Sequence, residues 1–235
     1  MEIDAQNNPQ KAPETILKMP LETAQRPTLS RPSVAVFDLG GVLIDWNPHH
    51  LYRKLIPDAG AREKFLAEIA TSAWHGTQDR GGDPAEATRR LQALHPDKAS
   101  LIAAFYGRFE EMLEPDFPAM TALVERLHAA GNPLYLLSNA PAFLDGWLRD
   151  RLRQRHPFLG RFRDYVVSGA EGCFKPDAAI FNLVCARGGF QAADAVFIDD
   201  SAANVEGAEA AGMHGIHHRS PEETIAALKA LGLPA

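Results

Sequence analysis

The chain has 235 residues, of which 46% are hydrophobic and 23% charged, and its formal net charge is −6. This composition is typical of a globular protein with enough chain for a substantial core. Because nucleic acids and anionic membranes both favour an excess of Lys and Arg, the mildly acidic balance argues against either as a partner.

The cysteine count and the hydropathy pattern point to a reducing, aqueous compartment. Cys173 and Cys185 are too few for a disulfide framework. No apolar stretch approaches the ~20 residues that a membrane-spanning helix requires. The first residues also lack the basic region and apolar core of a secretory signal. We therefore expect a cytoplasmic protein, either a monomer or a homodimer.

The N-terminal part of the chain differs from the rest. Residues 1–32 are rich in proline and polar side chains. Proline removes a backbone donor and interrupts helices, so this segment is predicted to be an extended or disordered tail. Regular alternation of elements begins at Ser33.

From Ser33 onward, short apolar runs alternate with longer helical patterns. The runs predict strands at residues 33–38, 133–138, 164–168, 194–198 and 213–217. The patterns after residue 116 predict helices at residues 118–130, 177–186, 201–211 and 221–231. Strands that alternate with helices favour right-handed crossovers and a parallel sheet covered on both faces. The fold class predicted is therefore α/β, a doubly wound parallel sheet.

One interval interrupts the alternation. Between the first and second strands the sequence shows only helical patterns, at residues 49–57, 61–71, 84–95 and 97–113. This interval is far longer than a βα loop, which has ~2–6 residues. We therefore predict a helical domain of residues 48–115, inserted into an α/β core domain of residues 33–47 and 116–235.

Polar residues follow four of the predicted strands. These are Asp38 with Gly40 and Gly41, then Ser138-Asn139, then Lys175-Pro176, and finally Asp199-Asp200. In open parallel sheets, ligands bind outside the carboxyl ends of the strands. We therefore expect the four groups to meet in one crevice.

The residue types in this set indicate chemistry on a phosphate. Three carboxylates sharing a small volume require a cation, and ligands that are all oxygen favour a hard ion, most simply Mg²⁺. Lys175 supplies a positive charge for an anion, and Ser138 supplies a hydroxyl donor. Backbone N–H groups around Gly40 and Gly41, and after Ser138 at Asn139, can form an anion-binding nest. One carboxylate can then attack phosphorus and form an aspartyl-phosphate.

The same four groups lie in the segments FDLGGVLID, LLSN, KPD and FIDDSAANVEGA. Together they resemble the motifs of the haloacid dehalogenase-like (HAD) superfamily, whose members are mainly phosphatases with an aspartate nucleophile and Mg²⁺. The resemblance covers residues 33 to about 220, and the inserted helical interval is similar to the first type of cap in that family. It implies a Rossmann-like core with a cap domain that closes over the site.

The resemblance also implies roles for the acidic residues and their neighbours. Asp38 would be the nucleophile and a metal ligand, and Gly40 would offer its backbone carbonyl to the metal. Asp200 would bind the metal directly, and Asp199 either directly or through water.

Further roles follow for the groups around the phosphate. Ser138 and Lys175 would hold the phosphoryl oxygens, together with the backbone at Gly41 and Asn139. Lys175 would also reduce the repulsion between the carboxylates. Asn204 lies where many members of the family have a further acid, and we assign it only an indirect role.

One position departs from the family. Most of its phosphatases carry a second aspartate two residues after the nucleophile, which protonates the leaving oxygen; here that residue is Gly40. General acid catalysis typically contributes ~10²–10⁴ in rate. The sequence therefore predicts a preference for leaving groups that need little protonation, such as aryl phosphates and anomeric sugar phosphates. The sugar-1-phosphate phosphatases similar to this chain also have glycine there. Candidates for a replacement acid are Asp45, His49, His50 and His75.

The predicted function is Mg²⁺-dependent hydrolysis of a small phosphomonoester resembling a sugar phosphate. One alternative is a 2-haloacid dehalogenase, in which the same aspartate attacks carbon without a metal. Dehalogenases of the family replace the acidic pair by small polar residues, whereas this chain keeps Asp199 and Asp200. Another alternative is a non-catalytic binding protein with the same fold. Residues near the inserted helices are also expected to reach the substrate, because caps commonly close over the reacting centre: Trp46, Trp74, His75, Asp79 and Arg80.

Overall fold

The computed structural model describes residues 31–235. Almost all of the predicted tail, residues 1–32, therefore lies outside the described residues. Within residues 31–235, none of the helices combines the length and the apolar character needed to cross a membrane.

Strands in the described residues form two sheets. In chain order they are β1 (Val34–Phe37), β2 (Ile44–Trp46), β3 (Leu113–Asp116), β4 (Leu134–Ser138), β5 (Asp164–Val167), β6 (Ala195–Asp199) and β7 (His214–His217). Five of them form a parallel sheet in the order β5-β4-β1-β6-β7, while β2 and β3 form a separate antiparallel pair. The five strands predicted from the sequence are confirmed to within one residue at each end.

The sequence of the central strands explains their position in the sheet. VAVF in β1, LYLLS in β4 and AVFID in β6 are buried at every residue. Apolar runs without alternation are typical of parallel strands that are covered on both faces. β4 and β5 lie on one side of β1, and β6 and β7 on the other. The carboxyl ends of β1, β4 and β6 therefore meet where the strand order reverses, which is where such sheets bind ligands.

The chain between β2 and β3 forms helices. These inserted helices are α1 (Pro48–Leu55), α2 (Ala59–Glu68), α3 (Ser72–Asp79), α4 (Pro84–Leu94) and α5 (Ala99–Gly107). Side chains close the first turns of α1, α3 and α4: Asn47 caps α1, Thr71 caps α3, and Asp83 caps α4 ahead of Pro84.

The remaining helices cover the two faces of the parallel sheet. They are α6 (Pro118–Ala129), α7 (Phe143–Arg149), α8 (Arg151–Arg155), α9 (Ser168–Glu171), α10 (Ala178–Gly188), α11 (Ala202–Ala210) and α12 (Pro221–Ala230). Side chains alternate between two apolar clusters, with Ala35 and Phe37 of β1 in one and Val34 and Val36 in the other. The doubly wound α/β fold predicted from the sequence is confirmed.

Several elements were missing from the sequence prediction: α3, the short helices α7, α8 and α9, and the β2–β3 pair. α3 has the polar sequence SAWHGTQD, which carries no apolar repeat, and it is held by its Thr71 cap and by aromatic contacts of Trp74 and His75 with Phe105. The β2–β3 pair is short, and its two strands lie far apart in the sequence, so no local sequence pattern predicts it. The predicted helix at residues 97–113 instead divides into a 3₁₀ turn, α5, a second 3₁₀ turn and the first residue of β3.

The inserted helices are packed on the sheet rather than standing apart from it. Tyr52 of α1 and Phe105 of α5 belong to the same buried cluster as Phe37 of β1 and Leu136 of β4. The division into residues 48–115 and a core of residues 33–47 and 116–235 stays a prediction. The shared cluster fixes where the inserted helices lie above the carboxyl ends of the strands.

The packing between α10 and β6 can be tested with Phe181→Ala. Phe181 is fully buried, and its ring lies edge-on to Phe197 with centroids 5.3 Å apart. We expect the free energy of unfolding, measured by urea denaturation, to fall by about 3–5 kcal/mol. Leu94→Ala is the control, because Leu94 is 74% exposed and surface changes stay within about 0.5 kcal/mol. Equal losses in the two variants would contradict this packing.

Candidate active site

The end of β1 places a carboxylate at the crevice. The backbone N–H of Asp38 donates to the carbonyl of Ile198 in β6, at 2.9 Å, which continues the sheet by one residue. The N–H of Leu39 donates to Oδ1 of Asp38 at 2.7 Å. The side chain is therefore held at the strand end, where only 8% of the residue is exposed.

Lys175 lies between two carboxylates. Its Nζ is 2.9 Å from Oδ1 of Asp38 and 2.7 Å from Oδ2 of Asp199. It donates a third hydrogen bond to the carbonyl of Leu137 at 3.0 Å. All three donors of the ammonium group are thus engaged, and both Lys175 and Asp199 are buried.

Asn139 holds the lysine in place. Its Nδ2 donates to the carbonyl of Lys175 at 3.0 Å, and its Oδ1 accepts from the N–H of Lys175 at 2.9 Å. The side chain therefore joins the loop after β4 to the loop that carries the lysine. If Asn139 also contacts a phosphate, as the sequence predicts, its backbone is the part that remains for that contact.

The acidic pair after β6 divides into two environments. Asp199 is fully buried, and its Oδ1 accepts hydrogen bonds from the N–H of Ser201 and from Nδ2 of Asn204, at 2.8 and 3.0 Å. Asp200 is exposed. One oxygen each from Asp38, Asp199 and Asp200 lie within 4.8 Å of one another. A set made only of carboxylates fits a hard divalent cation such as Mg²⁺.

Gly41 makes room for Asp200. Its φ is +73°, and a Cβ built on it would lie 2.3 Å from Oδ2 of Asp200. Both the left-handed backbone and this close approach require glycine. Glycine at position 41 therefore allows the loop after β1 to approach Asp200 in the loop after β6.

Negative charge exceeds positive charge in this buried region. Burial raises the pKa of Asp38 to about 7, although Lys175 opposes the rise. Burial and the charge of Asp199 raise the pKa of Asp200. Burial disfavours the charged form of Lys175, but the charges of Asp38 and Asp199 outweigh it and raise its pKa. Because one ammonium group faces three carboxylates, the excess negative charge favours binding of a cation at this site.

A cavity of about 320 Å³ lies over these groups. At one end it is lined by the residues that follow the strands: Asp38, Gly40, Gly41, Ser138, Asn139 and Asp200. Its walls include Trp46, Phe109, Leu113 and Leu144, and the residues that α3 contributes are Ser72, His75 and Asp79. The strand ends and the inserted helices therefore enclose one space.

The structure brings together every site residue predicted from the sequence. Six of them line the cavity. Lys175 contacts Asp38, and Asp199 contacts Lys175. Of the residues expected to reach the substrate, Trp46, His75 and Asp79 line the cavity, whereas Trp74 and Arg80 do not.

Of the four candidates for a replacement acid, His75 is the one that lines the cavity. Asp45 and His50 pair with each other at 2.8 Å, and neither lines the cavity. His49 lies 3.7 Å from Glu63, also away from the cavity. The apolar wall formed by Phe109, Leu113 and Leu144 was not predicted, because it depends on how the inserted helices and the loop after β4 pack together.

Comparisons with known proteins give a family and several relatives. The sequence model of the haloacid dehalogenase-like hydrolases matches residues 32–212. The sesquiterpene phosphatase astK of Aspergillus oryzae is 33% identical over 186 residues, covering 78% of this chain and 88% of that protein. A phosphoglycolate phosphatase of Pseudomonas savastanoi pv. phaseolicola is 27% identical over 216 residues, covering 81% and 72% of the two chains.

Solved structures share the fold. A HAD-like family hydrolase from Porphyromonas gingivalis has a TM-score of 0.63 and 21% identity, covering 85% of this chain and 98% of that one. A HAD family enzyme from Bacteroides thetaiotaomicron, in complex with magnesium and inorganic phosphate, has a TM-score of 0.57 and 24% identity, covering 79% and 93%. A 2-haloacid dehalogenase from Pseudomonas syringae pv. tomato has a TM-score of 0.52 and 21% identity, covering 85% and 98%.

The contact between Gly41 and Asp200 can be tested with Gly41→Ala. The methyl group would displace the Asp200 carboxylate, so we expect the affinity for Mg²⁺, measured by titration calorimetry, to fall by about 10- to 100-fold. Gly146→Ala is the matched control, because a Cβ at Gly146 in α7 meets nothing within 4 Å. The control should keep its affinity and gain up to about 1 kcal/mol of stability. Unchanged affinity in Gly41→Ala would show that Asp200 does not need this space.

Proposed function

The chain belongs to the haloacid dehalogenase-like hydrolase family, and we propose that it is a Mg²⁺-dependent phosphatase that forms an aspartyl-phosphate at Asp38. The chain is a hydrolase, and its relatives include phosphatases. The observation that carries the proposal is the ion pair of Lys175 with Asp38 and Asp199, with the oxygens of Asp200 close by. It combines a nucleophile, a positive charge for the phosphoryl group and an acidic metal site.

Asp38 is the nucleophile in this proposal. The N–H of Leu39 and the ammonium group of Lys175 both contact Oδ1, so we assign Oδ2 to the attack on phosphorus. The bond from Oδ2 to phosphorus forms as the ester P–O bond breaks. Water then attacks phosphorus in the acyl phosphate, which releases inorganic phosphate and restores the Asp38 carboxylate.

The phosphoryl group is held by groups at the same end of the cavity. The hydroxyl of Ser138 and backbone N–H groups at Gly41 and Asn139 are the donors that we assign to its oxygens. Lys175 would add its positive charge, and it would exchange one of its three present hydrogen bonds for a phosphoryl oxygen. Positioning and charge stabilisation of this kind carry most of the catalysis of phosphoryl transfer.

Mg²⁺ would be held by Asp38, the backbone carbonyl of Gly40 and Asp200. Both oxygens of Asp199 accept hydrogen bonds from protein donors, which favours contact with the ion through water. When bound, the ion supplies positive charge that offsets the phosphate and the carboxylates. The inserted helices would close over the reacting groups and exclude water.

The walls of the cavity favour a substrate with an apolar organic group. Trp46, Phe109, Leu113 and Leu144 offer apolar surface, and the described residues that line the cavity include no lysine or arginine to bind a carboxylate. A polyhydroxylated sugar would leave hydroxyl groups facing this apolar wall, at a cost in free energy. We therefore propose a phosphomonoester of an apolar alcohol rather than the sugar phosphate suggested by the sequence. The name of the sesquiterpene phosphatase relative agrees with this choice.

Metal dependence distinguishes this function from dehalogenation. We expect EDTA to abolish the release of p-nitrophenol from p-nitrophenyl phosphate, and added Mg²⁺ to restore it. Asp38→Asn should lose at least about 10³-fold in kcat, because the nucleophile is removed. Asp97→Asn, in an exposed turn, should keep full activity. Chloride release from a 2-chloroacid that ignores EDTA would instead support the dehalogenase.

Substrate preference can be tested with a panel of phosphate esters and an assay of inorganic phosphate. We expect kcat/KM for geranyl phosphate to exceed that for glucose 1-phosphate and for 2-phosphoglycolate by at least about 10-fold. Each buried methylene contributes about 0.8 kcal/mol, so two of them suffice for this ratio. A preference for glucose 1-phosphate would contradict the assignment of the apolar wall and leave the phosphatase chemistry in place.

A further inference from the structure

An ester of an ordinary alcohol poses a chemical problem for this site. The departing oxygen is strongly basic unless it receives a proton, and Gly40 offers no side chain to supply one. Apart from Asp38 and Asp200, the titratable side chains of the described residues that line the cavity are His75 and Asp79. Both belong to α3, one turn apart on the same face.

We propose that Asp79 is the general acid of the reaction and donates its carboxyl proton to the leaving oxygen while Asp38 attacks phosphorus. This inference rests on the phosphatase function proposed above. A residue of the inserted helix α3 would then protonate the leaving oxygen, which Gly40 cannot do because it has no side chain.

The end of α3 is anchored beside the reacting groups. Oγ of Ser168 donates to the carbonyl of Asp79 at 2.5 Å and accepts from the N–H of Ala140 at 3.0 Å. Ala140 lines the cavity two residues after Ser138. One hydroxyl group therefore connects the backbone of Asp79 to the loop that we assign to the phosphoryl group.

Two further contacts hold this end of α3 against the core. The guanidinium carbon of Arg80 lies 3.2 Å from the ring centroid of Phe174, the residue before Lys175. A Cβ at Gly169, just after β5, would lie 3.0 Å from the carbonyl of Gln78. The residues on both sides of Asp79, Gln78 and Arg80, thus pack against the core, and they hold the backbone of Asp79 at the cavity.

The surroundings of the Asp79 carboxyl group favour its protonated form. Its side chain is only 17% exposed, and its buried Oδ1 has no hydrogen-bond partner among the described residues. Nε2 of His75 lies 3.5 Å from this Oδ1, outside good hydrogen-bond geometry. A buried carboxylate without donors is costly, whereas a neutral carboxyl group is much less so.

The titratable and charged groups around Asp79 agree with this assignment. Burial raises the pKa of Asp79 to about 7, against a smaller opposing effect of Arg80. The pKa of His75 is lowered to about 4 by burial, so its imidazole is neutral near pH 7. His75 is also engaged elsewhere, since its Nδ1 lies 2.9 Å from the hydroxyl of Tyr106 and its ring stacks on Trp46. Of the two α3 side chains that line the cavity, Asp79 is therefore the one suited to hold a transferable proton.

The proton balance closes over the two steps. In the first step Asp38 forms its bond to phosphorus, the ester P–O bond breaks, and the proton of Asp79 moves to the leaving oxygen. The products are a neutral alcohol and the Asp79 carboxylate. In the second step that carboxylate accepts a proton from the water that attacks the aspartyl-phosphate, which regenerates the acid.

Asp79→Asn tests the proposal, because the amide keeps the shape of the side chain and cannot transfer the proton. Two esters separate the roles: p-nitrophenyl phosphate, whose leaving group departs without protonation, and geranyl phosphate, whose alcohol needs a proton. We expect kcat for geranyl phosphate to fall about 10²- to 10⁴-fold, while kcat for p-nitrophenyl phosphate changes by less than about 10-fold.

Asp83→Asn is the matched control. Asp83 caps α4 by accepting from the N–H of Ala85 at 2.8 Å, and asparagine can cap in the same way. It removes one carboxylate from the inserted helices without touching the cavity, and both esters should be hydrolysed as in the unmodified protein. Retained hydrolysis of p-nitrophenyl phosphate by Asp79→Asn shows at the same time that the variant is folded.

Three other outcomes overturn the assignment of Asp79. Equal losses on both esters would make Asp79 a structural residue, and no loss on either would place the acid elsewhere. In both cases Mg²⁺-dependent hydrolysis of p-nitrophenyl phosphate by the unmodified protein would still support the proposed function. If the unmodified protein hydrolysed neither ester, the phosphatase function would fall, and the role of Asp79 with it.

Discussion

One buried ammonium group determines how the candidate site is built. Lys175 Nζ lies within 3 Å of both Asp38 and Asp199. Asp38 follows β1, Asp199 ends β6, and Lys175 lies in the loop between α9 and α10. Two acids can remain ionised in this buried region only while a cation lies between them. The strand order that places β1 between β4 and β6 is what makes the contact geometrically possible, and Asn139 fixes the lysine loop against β4.

The site divides its tasks between two parts of the chain. The loops after the strands carry Asp38, Ser138 and the acidic pair, to which we assign attack on phosphorus, phosphoryl binding and metal binding. The inserted helices and the β2–β3 region provide much of the wall around them, including Trp46 and Phe109. Because both parts belong to one hydrophobic cluster, the packing that stabilises the inserted helices also sets the shape of the cavity.

A catalytic task need not stay at the same position in the sequence. Gly40 leaves one loop without a carboxyl group, and Asp79 of α3 lines the same cavity. What a general acid requires is a proton held near the leaving oxygen in surroundings that favour the neutral form, and a buried helix end meets this requirement. The glycine at position 40 therefore says little about whether proton transfer occurs.

The sequence by itself determined the α/β class, the five parallel strands and the residues at their carboxyl ends. These features are local: apolar runs specify buried strands, and glycine, proline and capping residues specify where helices begin and end. Only the tertiary structure decided that α3 and the β2–β3 pair exist, that the side chain of Asn139 binds the lysine loop, and that Asp79 faces the cavity. These features depend on contacts between segments far apart in the chain, such as Ser168 with Asp79. A local sequence pattern does not indicate which distant segment a residue will contact.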